Sequence, residues 1–443
     1  MKIQLSDHFT YKRLLRFVLP SIIMMIFTSI YGVVDGLFVS NYVGKTSFAA
    51  VNLIMPLLMI MGALGFMMGT GGSAIVAKTL GEGKKEKANQ YFSMMIYATV
   101  VGGVLLTVAG LVWLRPVTLA LGAEGDMAED CILYGKFLLT AQTAFMLQNV
   151  FQSFLITAEK PQLGLVVTIA AGLTNIILDF LLVGVFPFGI AGAAIATVMS
   201  QVVGGILPLI YFMRKNDSLL RFIPVRIDWR ILFKACINGS SELMTNISMS
   251  VVTILYNFQL MHIAGEDGVA AYGVIMYVSF IFAAIFIGYS IGSAPIISYN
   301  YGSGNQKELK NLFCKSNILI GVTGICLALL SEVLSEPLTR VFVGYDKGLM
   351  EMTLHGFRLY AISFVLVGFN IFGSSFFTAL NNGGVSAAIS FLRTLVFQTI
   401  SVIILPIFLK EDGIWLAIVA AEILAAIVTG GFFVRGKKRY HYM

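Results

Sequence analysis

The sequence predicts an all-α polytopic membrane protein with twelve transmembrane helices, arranged as two parallel six-helix repeats. Three observations carry that prediction: an unusually apolar composition, twelve apolar stretches long enough to cross a bilayer, and a long internal repeat. Of 443 residues, 58% are hydrophobic and only 12% are charged, whereas a soluble domain averages about 25% charged. The mean hydropathy is +0.86. Such a composition excludes a disordered chain, a disulfide scaffold and a water-soluble enzyme. The four cysteines (Cys131, Cys236, Cys314, Cys326) have no metal-ligand spacing. Cys236 and Cys326 read as small hydrophobes in apolar stretches. The segment that ends at Arg16 is polar and basic. The apolar stretch after it is too long for a signal-peptide core, so an uncleaved first span is expected.

A bilayer core takes about 20 apolar residues per helix. Spans are expected at 15–41, 47–78, 90–114, 131–158, 161–186, 189–213, 231–262, 268–299, 311–334, 351–380, 384–409 and 413–434. Turn residues punctuate them, as at Gly81-Glu82-Gly83, Pro187-Phe188-Gly189, Asn381-Asn382-Gly383-Gly384 and Asp412-Gly413. With the N-terminus inside, the inner connections hold 22 of the 30 Lys and Arg and the outer ones 5. Lys2 counts among the inner cations and Lys45 among the outer; Lys136, Arg358 and Arg393 fall within spans. Basic residues concentrate on cytoplasmic loops, so both termini are expected inside. The net charge of +7 is then a matter of topology, and no nucleic-acid partner is expected.

The longest basic connection, 214–230, divides an expected N-lobe (1–213) from a C-lobe (231–443). A single ungapped shift aligns the two. It places Gly44 on Gly265, Ala49-Ala50 on Ala270-Ala271, Gly71 on Gly292, Gly81 on Gly302 and Gly83 on Gly304. Farther along it still places Gly135 on Gly356, Asn149 on Asn370 and Ser153 on Ser374. Near the end it slips, and Gly189-Ile190 pairs best with Gly413-Ile414. The chain is almost exactly twice as long as this shift, so the repeat accounts for nearly all of it. Six spans per half return the chain to its starting side. The repeats are therefore parallel, as in transporters whose two bundles rock about a central site.

An ionisable group at the centre of a span costs roughly 2.5–3.5 kcal/mol on insertion scales. Five stand out: Asp35 (span 1), Asp179 (span 5), Glu242 (span 7), Arg393 (span 11) and Glu422 (span 12). For each, the plain alternative is an ion pair that fixes packing. Asn175 and Asp179 are one helical turn apart on one face, and Thr197 in span 6 adds an oxygen. Together with Asp35 they make an oxygen-rich set suited to a small hard cation such as Na⁺. The same set can instead keep a proton between two like-charged carboxylates. The repeat sets Asp35 opposite Tyr256, Asp179 opposite Ile400 and Glu242 opposite Ser21. An asymmetric set of acids on a symmetric scaffold favours an ion site in the first half.

Pro20 lies about four helical turns before Asp35, roughly 22 Å along a straight helix. It is read either as a hinge or as a first-turn proline. Asn149 and Asn370, with Tyr256 and Asn257, are candidates to line a cavity between the halves; interhelical hydrogen bonding is the alternative. Gly288-Tyr289-Ser290-Ile291-Gly292 has the form G-x-S-x-G. It sits inside a span where no strand-to-helix elbow exists, so small-residue packing is expected and no catalysis. The histidines (His8, His262, His355, His441) make no ligand spacing.

These residues resemble the MATE (multidrug and toxic compound extrusion) family across essentially all twelve spans. The resemblance rests on Pro20 with Asp35, on Ala49-Ala50, and on Gly81-Glu82-Gly83 with its counterpart Gly302-Ser303-Gly304. Ala270-Ala271-Tyr272-Gly273 and the run from Pro295 to Gly302 are the strongest local matches. The resemblance implies a MOP-type fold of two six-helix lobes in a V and export driven by H⁺ or Na⁺ antiport. In the family's N-lobe site an acid on span 1 joins an Asn and an Asp on span 5 and a Thr on span 6. Asp35, Asn175, Asp179 and Thr197 match those positions, and Pro20 matches a bending proline. Some relatives also use acids on spans 7 and 10. Glu242 supplies the first, but span 10 has no central acid, which argues against a complete C-lobe cation site. Glu242 is then expected to meet a cationic substrate or to pair with Arg393. The resemblance further implies an amphipathic organic cation as substrate, a bacterial plasma-membrane location, a monomer in the lipid bilayer and no cofactor. A flippase for lipid-linked precursors and an exporter of one specific metabolite are the alternatives.

Overall fold

The computed structural model describes residues 3–344 and 346–443, with the side chain of Lys45 excepted. Lys2 lies outside the described residues. Span 1 runs Tyr11–Val43 and starts where the Thr10 hydroxyl accepts the Arg13 backbone N–H. Spans 2 and 3 are Lys45–Gly81 and Lys85–Ala120. Span 4 is two shorter helices, Gly125–Thr140 and Gln142–Thr157. Spans 5 and 6 are Pro161–Val185 and Gly189–Met213. Spans 7 and 8 form one continuous run, Trp229–Gly302, broken at Gly265, whose φ of 66° a side chain would resist. Span 9 is Gln306–Val343. Span 10 is Lys347–Ala361 and Phe364–Ala379, bent by 49°. Spans 11 and 12 are Gly383–Leu409 and Glu411–Tyr440.

Among the described residues nine helices are singly long and apolar enough to cross a membrane. The twelve expected spans are reached by counting Trp229–Gly302 as two spans, the bent pair as one, and Gly125–Thr157 as one. Spans 4 and 10 are broken at Ala141 and at Ile362, which the repeat shift lays on one another. The break is thus a property of the repeated unit. No proline or glycine marks either position, so the pattern of the sequence does not announce it. Among the described residues three short stretches widen into π-helical turns: Val39–Val43, Phe180–Val185 and Leu392–Phe397.

The first six spans pack among themselves and so do the last six; spans 1 and 2 against 7 and 8 join the halves. The seam obeys the repeat. Gly71 packs on the backbone of Gly239, and Gly292 packs on Val18; the shift carries each member of the first contact onto a member of the second. At the ends of spans 2 and 8 the pseudo-twofold axis passes between two glycines. A β-carbon on Gly81 would collide with the Tyr299 carbonyl, and one on Gly302 with the Lys78 carbonyl, again a pair related by the shift. Hydrogen bonds reinforce the seam, with Asn238 Nδ2 donating to the Gly71 carbonyl at 3.3 Å and the Thr378 carbonyl at 3.0 Å. Lys84 Nζ sits 2.8 Å from Glu82 and, by donating to it, holds that carboxyl below the usual range. Both residues belong to the turn after span 2, so this pair shapes the turn and the backbone contacts make the seam. These contacts lie towards the basic connections. The N-terminal segment adds a strap: Leu5 N–H donates to Glu159 Oε1 at 2.8 Å and Phe9 N–H to Glu308 Oε1 at 2.9 Å.

Large apolar side chains such as Ile254, Phe258, Val322 and Ile407 remain exposed on the outside of the bundle. A helix can present them to lipid because its backbone groups are satisfied within the helix. Cys326 is exposed on span 9 rather than packed inside, while Cys236 packs 3.8 Å from Met68 Sδ at the seam.

Candidate functional site

The structure gathers Asp35, Asn175, Asp179 and Thr197 at one place in the first half. The Asp35 carboxyl lies beside the side chains of the other three. Asp179 is completely buried and Asn175 nearly so. Helix geometry helps to aim them. Asp179 is the last residue before the widened turn Phe180–Val185, and Asp35 stands one turn before the widened stretch that begins at Val39. Turns of that type recur at functional sites because they displace a side chain from the regular helical path.

The oxygens of this cluster face one another with few donors. Asp35 Oδ1, both carboxylate oxygens of Asp179, and Asn175 Oδ1 are buried and have no hydrogen-bond partner. The Thr197 hydroxyl spends its proton on the Ala193 carbonyl, 3.1 Å away, and keeps its lone pairs. Buried acceptors left in this state are expensive, and folded proteins almost always satisfy them. A proton held between the carboxylates would do so, as would a small hard cation. Among the described residues no group of three or more His, Cys, Asp or Glu gathers as a metal site.

Two tyrosines that sequence reasoning did not single out complete the cluster. Tyr134 is fully buried, and its hydroxyl lies beside Thr197 but is left without a hydrogen bond. Tyr31 stands between Asp35 and Gln148. It is one helical turn before Asp35, so helical spacing was the signal available for it. Tyr134 comes from span 4 and only tertiary packing brings it in.

The second half holds a cavity of about 270 Å³. Its lining includes Glu242, Tyr256, Asn370, Arg393 and Glu422, with Thr70 and Ser153 contributed by the first half. Arg393 pairs with Glu422, Nε to Oε1 at 2.8 Å, so of the two readings of Glu242, an Arg393 pair or a cationic substrate, the pair is not formed. The reason is adjacency. Spans 11 and 12 pack side by side, whereas Glu242 sits one turn beyond Asn238 and Gly239 at the seam with span 2. Glu422 is completely buried, and its second oxygen accepts Asn370 Nδ2 at 2.7 Å. Asn370 Oδ1 in turn accepts the Thr429 hydroxyl at 3.0 Å. Every oxygen of this carboxylate and this amide is therefore occupied. The Glu242 carboxylate, by contrast, has no hydrogen-bond or ionic partner among the described residues; Asn246 bonds only to its backbone carbonyl.

The remaining candidates divide. Tyr256 stands where the repeat places Asp35; it stacks on Tyr272 at 4.8 Å and 5°, with its hydroxyl unpartnered. Asn149 and Asn257 do not line this cavity. Asn257 lies one residue past Tyr256, about 100° around the helix. Asn149 belongs to span 4 of the first half, which offers the cavity only Ser153. Pro20 lies well inside the helix Tyr11–Phe38, so it is an interior proline and not a first-turn one. Gly288 and Gly292 pack on Ser21, Ile22 and Val18, which is the expected small-residue contact.

Comparison with known proteins gives a consistent picture. The MatE family model matches the chain twice, over residues 20–181 and 243–404. The offset between the two matches falls between that of the ungapped shift and that of the slipped pairing of Gly189 with Gly413. "Multidrug export protein MepA" of Staphylococcus aureus (strain MRSA252) is 23% identical over 416 residues, spanning 94% of this chain and 92% of that protein. MepA of Staphylococcus saprophyticus is also 23% identical, over 417 residues and the same shares. A crystal structure of MATE in the straight conformation superimposes with a TM-score of 0.91 at 23% identity, covering 98% of this chain and 97% of that one. An outward-facing multidrug resistance MATE family transporter of the MOP superfamily gives 0.92 at 24% identity, over 98% and 97%. These structures share the fold of twelve helices in two repeats. With both repeats matched by one family model over most of its length, the chain belongs to the MatE family.

Proposed function

We propose that the protein is a secondary active exporter of small amphipathic organic cations, working as an H⁺- or Na⁺-coupled antiporter. The observation that carries this reading is the group of buried, unpartnered acceptor oxygens on Asp35, Asn175 and Asp179. Such a group favours a state with a bound cation or proton, which makes ion occupancy a term in the conformational equilibrium. The MepA relatives, named as multidrug export proteins, support the choice of cargo.

In this reading residues 1–213 and 231–443 are two lobes joined by the 214–230 connection, and they rock about the seam of spans 1, 2, 7 and 8. An ion enters from outside and binds Asp35 and Asp179, with Asn175 and Thr197 supplying further oxygens. Pro20, which leaves the Arg16 carbonyl without its helical donor, lets span 1 bend as the site fills. The cargo leaves outward, the lobes reverse, and the ion is released inside. A membrane potential contributes about 2.3 kcal/mol per charge for each 100 mV. The protein acts as a monomer in a bacterial plasma membrane, with both termini in the cytoplasm and no cofactor. The Glu242 carboxylate and the aromatic wall around Tyr256 receive the cationic cargo.

The test is efflux of a dye cation from proteoliposomes under separately imposed proton and sodium gradients. The expected result is stimulation by at least one gradient. Equal efflux with and without both gradients would sink the reading.

A further inference from the structure

Basic residues at the ends of spans are usually a matter of topology. One group in this chain is built differently. Span 6 ends at Met213, and where the 214–230 connection begins Arg214, Lys215 and Arg221 line an open cleft of about 740 Å³. The one acid in its lining, Asp217, pairs with Lys160, Nζ to Oδ1 at 2.7 Å. The side chains of Arg214, Lys215 and Arg221 are exposed and have no hydrogen-bond or ionic partner among the described residues. Three cations therefore share one cleft without a counter-ion. The backbone that carries them is fixed. Asn216 Nδ2 donates to the Tyr211 and Arg214 carbonyls at 3.2 and 3.0 Å. Its Oδ1 accepts the Ser218 N–H at 3.1 Å and the Ser218 hydroxyl at 2.6 Å. Arg221 N–H donates to Asn89 Oδ1 at 2.9 Å, which pins the connection on span 3. The opposite wall is apolar. Leu207 and Ile210 line it, half-exposed, two turns and one turn before Arg214 on the same helix face. The repeat provides a contrast: the shift lays Arg214 on Arg435, where the helix continues unbroken to Tyr440.

We propose that this cleft is a lipid site: it holds the phosphate headgroup of an anionic phospholipid of the inner leaflet, with an acyl chain along Leu207 and Ile210. Unpaired cations beside a lipid-facing apolar wall match the two ends of such a molecule. Free phosphate would use only the first of them. Basic residues next to a span are drawn to anionic headgroups, and guanidinium groups add directional, paired hydrogen bonds to phosphate oxygens. A zwitterionic lipid presents the same phosphate but brings its own cation, which Arg214, Lys215 and Arg221 repel. The cleft is of ordinary size for a ligand site, about 300–1,000 Å³. Its occupant sits against the one covalent link between the halves. The inference rests on the placing of 214–230 at the cytoplasmic face and is independent of cargo and of ion coupling.

The experiment measures displacement of a fluorescent phosphatidylglycerol from the purified full-length protein in neutral detergent, with no gradient. The competitors are unlabelled phosphatidylglycerol, phosphatidylcholine and inorganic phosphate. Phosphatidylglycerol is expected to displace the probe about tenfold better than phosphatidylcholine, and inorganic phosphate at the same concentration not at all. Arg214→Gln/Arg221→Gln changes only exposed side chains. It is expected to weaken the probe by about fivefold per cation removed, roughly thirtyfold in all. Arg435→Gln/Lys438→Gln removes the same charge at the matching end of span 12 and is expected to bind like wild type, which separates a built site from attraction by net charge. Leu207→Gln keeps every cation and is expected to weaken the probe a few-fold through the acyl chain. Three results would each overturn the proposal. They are equal displacement by the two lipids, displacement by inorganic phosphate as effective as by phosphatidylglycerol, and the same affinity in the two double variants. Failure of gradient-driven transport would refute the coupling reading and leave this result standing.

Discussion

Two sets of buried acids occupy one repeated scaffold in opposite states. In the first half, Asp35 Oδ1 and both carboxylate oxygens of Asp179 are buried without a hydrogen-bond partner. In the second half, Glu422 is as buried as Asp179, but Arg393 and Asn370 occupy both of its oxygens. Where Asp35 stands in one repeat, the other has Tyr256 stacked on Tyr272. The difference separates a carboxylate with open acceptor oxygens from one that is locked in place. In the proposed cycle, symmetric elements make the seam that moves and asymmetric side chains decide which half responds to ions.

The sharpest way to break this contrast is to neutralise each acid in turn. Asp35→Asn and Asp179→Asn should each reduce gradient-stimulated export to the level seen without a gradient, with membrane insertion unchanged, as read in sealed vesicles. Next in size, Arg393→Gln alone should destabilise the protein by roughly 3–5 kcal/mol, because it leaves the buried Glu422 carboxylate without its cation. The neutral pair with Glu422→Gln should recover most of that loss, as thermal unfolding in detergent would report. Equal stability of the two variants would mean that Glu422 is not held by the pair.

A smaller effect is expected at the seam. Gly81→Leu forces a side chain into the Tyr299 backbone, an overpacking worth typically about 1–3 kcal/mol. It should part the halves on that side, and labelling of the half-buried Cys236 should rise. Unchanged labelling would place the moving seam elsewhere. Smallest of all, Pro20→Ala restores a helical donor in span 1. Transport rate should fall a few-fold while substrate affinity holds. An unaffected rate would remove Pro20 from the cycle.

Much of this was legible in the sequence, for particular reasons. Acids are so costly inside a span that Asp35 and Asp179 announce themselves, and the spacing of Asn175 to Asp179 sets both on one face. The repeat shift aligns Gly265 with Gly44, and both adopt a positive φ, 66° and 125°. Other features depended on packing that no local pattern encodes. Tyr134 reaches the acid cluster from span 4. Arg393 chose Glu422 over Glu242 because spans 11 and 12 are neighbours. The breaks at Ala141 and Ile362 carry no helix-breaking residue, and the repeat alone makes sense of them.

Coupling depends on whether the unpartnered oxygens of the first half take up the ion. Ion binding by purified protein tests this most directly, as proton release or uptake in a weakly buffered solution when a cationic dye is added, and as retention of radioactive sodium. Wild type is expected to exchange H⁺ or Na⁺ when the dye binds, and Asp35→Asn and Asp179→Asn to bind the dye without that exchange. Ion exchange of wild-type size in either variant would contradict the assignment of the site.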